Sequence, residues 1–330
     1  MSSAFDVVKP GLETSIQELP GRIGFWEQGF PPSGPMDLWS FRFANLLVGN
    51  DRDMAALECQ LIGPAIRFTD DRLIAVTGAD MAPKLDGEEL PMWRTVSVRA
   101  GQLLELAPAR RGMRSYIAIC GGIATEPVLG SRATFHMAGV GGMNGYALKP
   151  DQRVPLGRHR PSARRMTAPE DSRPRFSTDK SWTIECVLGP NDDWLAPEAV
   201  AMFFASPWTV QSRSNRTGMR LTGPQFTFAP RATGKRPEHG QDPSNILDHG
   251  YPLGAVNLAG QTPIILVNDA PSTGGFINPF TVASAAFWKL GQALPNETLR
   301  FKQVGVEEAQ NLRRDLDRRT TIEALVPLAV

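Results

Sequence analysis

The sequence predicts a mainly β protein made of two β subdomains with a few short helices. Three observations carry this. Glycine (31) and proline (28) are spread along all 330 residues, so the elements must be short and often interrupted. The apolar runs between them have strand length, and short strands separated by turn signals suggest barrels or sandwiches. Finally, Leu61-Ile-Gly-Pro-Ala-Ile-Arg-Phe68 recurs in part as Leu221-Thr-Gly-Pro-Gln-Phe-Thr-Phe228, and Gly101-Gln-Leu-Leu104 resembles Gly291-Gln-Ala-Leu294. Two related halves would leave such a trace.

Taken in chain order, the first helix is expected over Leu38 to Val48, where Leu38, Phe41, Asn45 and Val48 recur with helical period. The preceding P-P-S-G-P-M-D run, Pro31 to Asp37, puts Ser33 or Asp37 in place to cap it; Ser33-Gly34 could also reach a ligand. Strands follow at Leu73–Thr77, Val96–Val98, Leu103–Leu106 and Ser115–Cys120. A Pro/Arg-rich stretch, residues 158–176, reads as a linker between subdomains 1–157 and 177–305. Beyond it come a strand at Thr183–Leu188, a helix at Pro197–Phe204 and buried strands at Ala255–Leu258 and Pro263–Val267. A helix at Pro279–Leu290 and a strand at Thr298–Phe301 precede a charged helical tail, 306–330, with its helix over Val306 to Leu328 on the outside.

Composition excludes several classes. A net charge of +1 favours neither nucleic acid nor an acidic membrane surface as a partner. The most basic stretch, Arg158 to Arg175, is also rich in Pro, Ser and Thr and reads as solvated linker. Cys59, Cys120 and Cys186, an odd number in apolar strands, suggest buried free thiols in a reducing compartment. Met1 to Pro10 has no secretory pattern, and no apolar run approaches membrane-helix length, so the expectation is a soluble, cytoplasmic chain.

Candidate chemistry concentrates between Arg213 and Phe276, in S-N-R-T-G-M-R-L-T-G-P, D-P-S-N-I-L-D and N-D-A-P-S-T-G-G-F. Polar loops on the ends of apolar strands are how a rigid scaffold presents a small-molecule site. Asp248 and Asp269 could act as general base and hydrogen-bond acceptor toward an amide or urea nitrogen, with Asn245 as an orienting amide; alternatively each caps its own turn. Ser272-Thr273-Gly274-Gly275 could cup an anion with consecutive N–H groups, or form a plain tight turn. Asn215 and Arg216 could orient a planar substrate, unless Arg216 pairs with a structural acid. His249 is a possible further member. Glu238, His239, Asp242, Asp248 and His249 match no zinc spacing. Phosphate-binding loops, a dinucleotide fingerprint, a nucleophile elbow and a biotinylated Met-Lys pair are all missing.

Together these runs resemble the carboxyltransferase family of KipA, the legacy "allophanate hydrolase subunit 2" proteins and the C component of 5-oxoprolinase. The likeness runs from G-L-E-T-S-I-Q-E-L (Gly11 to Leu19) to the Phe301 strand. It includes F-A-N-L-L-V-G-N (Phe43 to Asn50), V-T-G-A-D (Val76 to Asp80), G-G-I (Gly121 to Ile123) and V-L-G-S-R-A-T-F (Val128 to Phe135). S-N-R-T-G-M-R-L-T-G-P, D-P-S-N-I-L-D and F-W-K-L-G-Q (Phe287 to Gln292) are most similar to the first half of the carboxyltransferase region of urea carboxylase. Urea carboxylases usually carry histidine where this chain has Asp242 and Leu247, which puts urea itself in doubt as the acceptor.

The resemblance implies two cyclophilin-like β-barrel subdomains and transfer of CO₂ from carboxybiotin to an amide- or urea-type nitrogen. Carboxybiotin would come from a separate carrier, with no covalent biotin on this chain and ATP used elsewhere in the complex. The implied partners are a KipI-like (allophanate hydrolase subunit 1) protein, a biotin carboxylase and a biotin carrier. Asp248 and Asp269 would bind or deprotonate the acceptor, and Gly274-Gly275 would donate to the biotin ureido oxygen. Two rival implications are a component of an ATP-dependent 5-oxoprolinase-type amidohydrolase and a KipA-like non-catalytic regulator.

Overall fold

Residues 3–159 and 164–328 are described by a computed structural model of the chain. They divide into two units, one of residues 1–25, 32–176 and 317–330, the other of residues 26–31 and 177–316.

Side-chain alternation decides the layering of the first unit. Its strands are β1 (Ala4–Lys9), β2 (Glu13–Gln17), β3 (Ala56–Gln60), β4 (Ala65–Phe68), β5 (Arg72–Asp80), β6 (Lys84–Leu85), β7 (Glu88–Glu89), β8 (Val96–Val98), β9 (Leu103–Glu105), β10 (Arg111–Ile119) and β11 (Arg153–Pro155). They form two sheets, ordered β11-β1-β4-β9-β6-β7 and β2-β3-β10-β5-β8. Ile74, Val76, Ile117 and Ile119 share one core with Phe5, Ile66, Phe68 and Leu104 of the other sheet. The intervening residues Ala75, Tyr116 and Ala118 point the opposite way, against Phe41, Phe43, Ala44 and Leu47 of helix α1 (Leu38–Leu47). The two-residue period of the strand thus sets the five-stranded sheet between its partner sheet and a helix.

Asp37, not Ser33, caps α1. Its Oδ1 accepts the N–H groups of Trp39 and Ser40, both at 3.0 Å, and its Oδ2 accepts the Ser40 hydroxyl at 2.6 Å. Ser33 is buried at φ 59°. Within the stretch expected as a linker, residues 160–163 lie outside the described residues. Further along it, β12 (Met166–Thr167) pairs antiparallel with Val326–Pro327, and the Trp39 indole donates to the Ser172 carbonyl at 3.1 Å.

The second unit is built on a closed barrel. Its strands are β13 (Ser181–Leu188), β14 (Pro207–Val210), β15 (Gly218–Thr222), β16 (Asn245–Gly250), β17 (Ala255–Ala259), β18 (Thr262–Leu266), β19 (Thr273–Phe276), β20 (Phe280–Val282) and β21 (Thr298–Gln303). Seven of them close the barrel in the order β13-β20-β17-β18-β15-β14-β21, and β16 and β19 form a separate two-stranded ribbon. Phe203, on helix α2 (Pro197–Ala205), stacks on Phe280 at 3.8 Å and Phe301 at 4.3 Å between ring centroids. Trp208 and Phe226 stack beside it at 5.4 Å. Aromatic area of this kind dominates a small core.

Two helices differ from expectation. Pro279–Leu290 is not one helix: Phe280–Val282 is strand β20, which the barrel needs between β13 and β17, and only Phe287–Gln292 is α-helical. The last helix ends at Arg319, short of Leu328, where the β-branched pair Thr320-Thr321 begins. Thr320 is buried, and its hydroxyl lies 3.2 Å from Arg42 Nη1.

The eight-residue repeat also parts company in structure. Residues 65–68 form β4, whereas residues 223–228 leave β15 without forming a strand. The glycines of the two matching Gly-Pro pairs share a packing role. A Cβ on Gly63 would lie 2.3 Å from Leu106, and one on Gly223 would lie 2.3 Å from Trp208. Cys59, Cys120 and Cys186 are buried free thiols, and burial pushes the Cys59 and Cys186 thiols well up. Among the described residues no helix is long and apolar enough to cross a membrane.

Candidate functional site

Strand alternation gives β17 and β18 a second, outward face. Val256 pairs with Ile265, so Asn257 pairs with Ile264 on the opposite side. On that outward side Ala255 and Leu266 pack with Tyr251 and Ala270, flanked by Leu253 and Ile264. The loops leaving β16 and entering β19 supply this cover, and the two strands themselves hold most of the candidate residues.

At one margin, Arg216 and Asp269 meet as a buried ion pair. Arg216 Nε donates to Asp269 Oδ2 at 2.9 Å and Nη2 to Oδ1 at 3.2 Å, while the Asp269 N–H donates to the Arg216 carbonyl at 2.8 Å. Both residues are 5% exposed. The structural acid that Arg216 could have paired with is therefore Asp269 itself. Asn215, just before, is turned onto its own loop: its Oδ1 accepts the Thr217 and Gly218 N–H groups at 2.9 and 3.2 Å.

Asp248 is exposed on β16, which pairs with β19 at Asn245↔Phe276, His249↔Gly274 and Gly250↔Thr273. The register shifts between Asn245 and His249, so β16 bulges where Asp248 sits. A Cβ on Gly275 would lie 3.3 Å from Asp248 Oδ1 and 3.0 Å from the Ile246 carbonyl. A Cβ on Gly274 would lie 2.6 Å from the Tyr251 ring. Neither glycine has a positive φ, and both lie in strand β19. This corrects the expectation of a glycine turn: an extended strand points successive N–H groups to opposite sides, so the segment forms no concave donor nest. What the glycines allow is close approach, of a carboxylate on one and an aromatic ring on the other.

Tyr251 is the hub beneath the ribbon. Its hydroxyl accepts the Phe276 N–H at 2.6 Å and donates to the Phe276 carbonyl at 3.2 Å. His249 Nε2 lies 3.0 Å from that same carbonyl oxygen, and its ring meets Tyr251 edge-on at 5.2 Å. Burial raises the Tyr251 pKa, and the Asp248 charge raises it further. The Phe276 N–H and a hydrogen bond from the Asn257 side chain pull against that rise. Asp248, Tyr251 and Asn257 therefore share one electrostatic neighbourhood. Asn257 is 3% exposed, and its Oδ1 has no hydrogen-bond partner among the described residues.

Asn245 and Asp242 organise the start of the ribbon. Lys235 Nζ donates to the Asn245 carbonyl at 2.7 Å, and the Asn245 N–H donates to the Asp242 carbonyl at 2.9 Å. Asp242 Oδ1 accepts the hydroxyl and N–H of Ser244, which hold its carboxyl below the usual carboxylate range. Ser272 accepts the Tyr251 N–H through its carbonyl at 2.7 Å, and Thr273 is exposed. His239 Nδ1 accepts the Leu247 N–H at 3.2 Å. Among the described residues no three His, Cys, Asp or Glu are grouped to hold a metal ion.

The structure thus brings Asp248, His249, Gly274 and Gly275 together, joins Arg216 to Asp269, and leaves Asn215 in its own turn. Ser33 belongs to the other unit. Two open clefts of that unit, about 670 and 640 Å³, are lined by none of the candidate residues. Sequence reasoning missed Tyr251 and Asn257. The one signal for Asn257 was a lone amide inside a strand otherwise read as buried.

Comparison with known proteins agrees with this architecture. The family model "Carboxyltransferase domain, subdomain A and B" matches residues 28–303. The chain is 40% identical over 321 residues to urea amidolyase of Saccharomyces cerevisiae, covering 96% of this chain but 17% of that protein. It is 33% identical over 314 residues to the C component of 5-oxoprolinase from Escherichia coli, covering 94% of this chain and 95% of that one. The crystal structure of Kluyveromyces lactis urea carboxylase superposes with a TM-score of 0.91 at 37% identity, over 99% of this chain and 30% of the larger one. The chain therefore spans less than a third of the urea amidolyases and carboxylases it matches. On the model match and these identities, the chain belongs to the carboxyltransferase subdomain A and B family.

Proposed function

We propose that this chain is the acceptor-binding part of a biotin-dependent carboxyltransferase, moving CO₂ to the nitrogen of a small amide- or urea-type compound. It would act with a KipI-like partner, a biotin carboxylase and a biotin carrier. The observation that carries this reading is Asp248: an exposed carboxylate on a bulge, admitted against Gly275 and backed by a satisfied tyrosine. Carboxybiotin supplies the carboxyl group in such enzymes. The residues around the ribbon suit an N–H-bearing acceptor better than that carboxylate, because Asp248 presents negative charge and the Arg216 guanidinium is held by Asp269. We therefore assign them to the acceptor alone.

In this assignment Asp248 accepts a hydrogen bond from the acceptor nitrogen and takes its proton as the nitrogen gains its carboxyl carbon. Gly275 keeps room for the carboxylate, and Tyr251 and His249 fix the Phe276 backbone behind it. Asp269 acts at one remove, by pinning Arg216 and the loop that carries it. Held in this way, a reactant loses little freedom at the reacting step.

Assembly with a biotin carboxylase and biotinylated carrier, followed by acceptor-dependent ADP release, tests the reading. Asp248→Asn should lower turnover at least a hundredfold; full retention of rate would remove Asp248 from the mechanism. A second reading has its own support, since the match to the C component of 5-oxoprolinase spans 95% of that protein. Purification from native cells with streptavidin detection separates the two. A KipI-like chain recovered with a biotinylated carrier supports the carboxyltransferase, and one recovered without biotin supports ATP-dependent amide hydrolysis.

A further inference from the structure

Asn257 lies on the outward face of β17 with its side-chain oxygen buried and, among the described residues, without a donor. Buried polar atoms are nearly always paired, so each exception calls for an account. The neighbouring hydroxyl cannot satisfy this one, because the Tyr251 proton is given to the Phe276 carbonyl. Nor is Asn257 needed to hold the strand, whose ladder is made by the main chain with Ile264 as its register partner. The cover above it is a ribbon of two strands, β16 and β19, that pairs with no other strand among the described residues. A two-stranded ribbon is marginal on its own, so its hold on the barrel rests on few bonds, chiefly those from the Tyr251 hydroxyl to the Phe276 backbone. The same ribbon carries Asp248.

We propose that Asn257 is a further acceptor-positioning residue: when the β16–β19 ribbon lifts, its Oδ1 receives an N–H of a small amide- or urea-type compound whose other nitrogen faces Asp248. The inference rests on the carboxyltransferase reading and deepens it. An oxygen acceptor at each end selects for compounds bearing several N–H groups over esters and tertiary amides, which have none to give. Leaving the Asn257 oxygen unpaired without substrate means that binding an N–H donor there replaces no existing protein bond.

The test uses the assembled carboxylase, with urea, acetamide, 2-pyrrolidone and guanidinium as probes and acceptor-dependent ADP release as the readout. Asn257→Ala should raise KM for the accepted probe at least tenfold, which is about 1.4 kcal/mol. Asn257→Asp, which keeps an oxygen at that position, should raise it less. An unchanged KM in Asn257→Ala, or a larger rise in Asn257→Asp than in Asn257→Ala, overturns the proposal. A lowered melting temperature with unchanged KM assigns Asn257 to the fold alone and overturns it as well. Should Asn257→Ala not fold, Asn257→Ser withdraws the carbonyl and carries the same expectation. If the wild-type assembly turns over none of the four probes, the acceptor reading itself has failed, and the inference falls with it.

Discussion

Arg216 and Asp269, 53 residues apart in the chain, are joined by two hydrogen bonds inside a buried ion pair. A carboxylate so held is a poor candidate for free general-base work and a good one for fixing two loops. Removing one partner of a buried pair leaves the other charge uncompensated, at a cost of about 3–5 kcal/mol. Asp269→Asn should therefore lower the melting temperature and the denaturant midpoint sharply. Replacing both residues by apolar ones should recover much of the loss. Loss of turnover in Asp269→Asn with unchanged stability would return Asp269 to a direct role.

Asp248 contrasts with Asp269. Exposed, and in no ion pair among the described residues, it should be replaceable by asparagine within about 0.5 kcal/mol of wild-type stability. Because its charge helps to hold the Tyr251 pKa up, the same substitution should bring the Tyr251 pKa down. Tyrosinate absorbance against pH can follow this, since the chain has only three tyrosines and one can be assigned by substitution.

The glycine pair should respond in graded fashion. Gly274→Ala drives a methyl to 2.6 Å from the Tyr251 ring and should cost about 1–3 kcal/mol, by the usual penalty of overpacking. Gly275→Ala is milder at 3.0 and 3.3 Å, but the atoms it meets are the Ile246 carbonyl and the Asp248 carboxylate. Its effect should fall on acceptor turnover more than on stability. Equal effects of the two substitutions on both quantities would count against the assignment of Asp248.

Alkaline pH should weaken the fold. Tyr116 and Tyr251 both have pKa values raised in the folded state, chiefly by burial. The unfolded chain therefore loses these protons first as pH rises past the ordinary tyrosine value of 10.0. Their stabilising contribution is complete below that value and is lost as pH rises toward the folded pKa. Denaturant midpoints measured from neutral to strongly alkaline pH should fall, and Tyr251→Phe should reduce the slope.

At α1, Asp37→Ala should cost at least about 1 kcal/mol, because it removes three hydrogen bonds from one helix start. Asp37→Asn should recover part of this, and Ser33→Ala should not reproduce the Asp37→Ala loss through capping. Chemical denaturation of the three variants separates the two residues.

The strands and the first helix were legible because local chemistry determines them. The strand-length apolar runs Leu73–Thr77 and Ser115–Cys120, the helical period after Asp37 and the turn residues between elements act over a few positions. Where a strand is required by distant partners, local reading failed: Pro279–Val282 reads as the start of the apolar helix that follows it, although its aromatic and β-branched residues suit the strand that pairs with β13 and β17 to close the barrel. The polar cluster between Arg213 and Phe276 was likewise visible as composition, and its residue types pointed to a small-molecule site. Which of those residues stay open to a ligand was settled only by tertiary contacts. Folding joined Arg216 to Asp269, stretched Gly274-Gly275 into a strand, and brought the Asp248 charge within reach of Tyr251. The sequence alone determined the inventory of charge, turn and apolar surface; pairing across dozens of residues, which depends on register and burial, decided which groups were consumed by the fold.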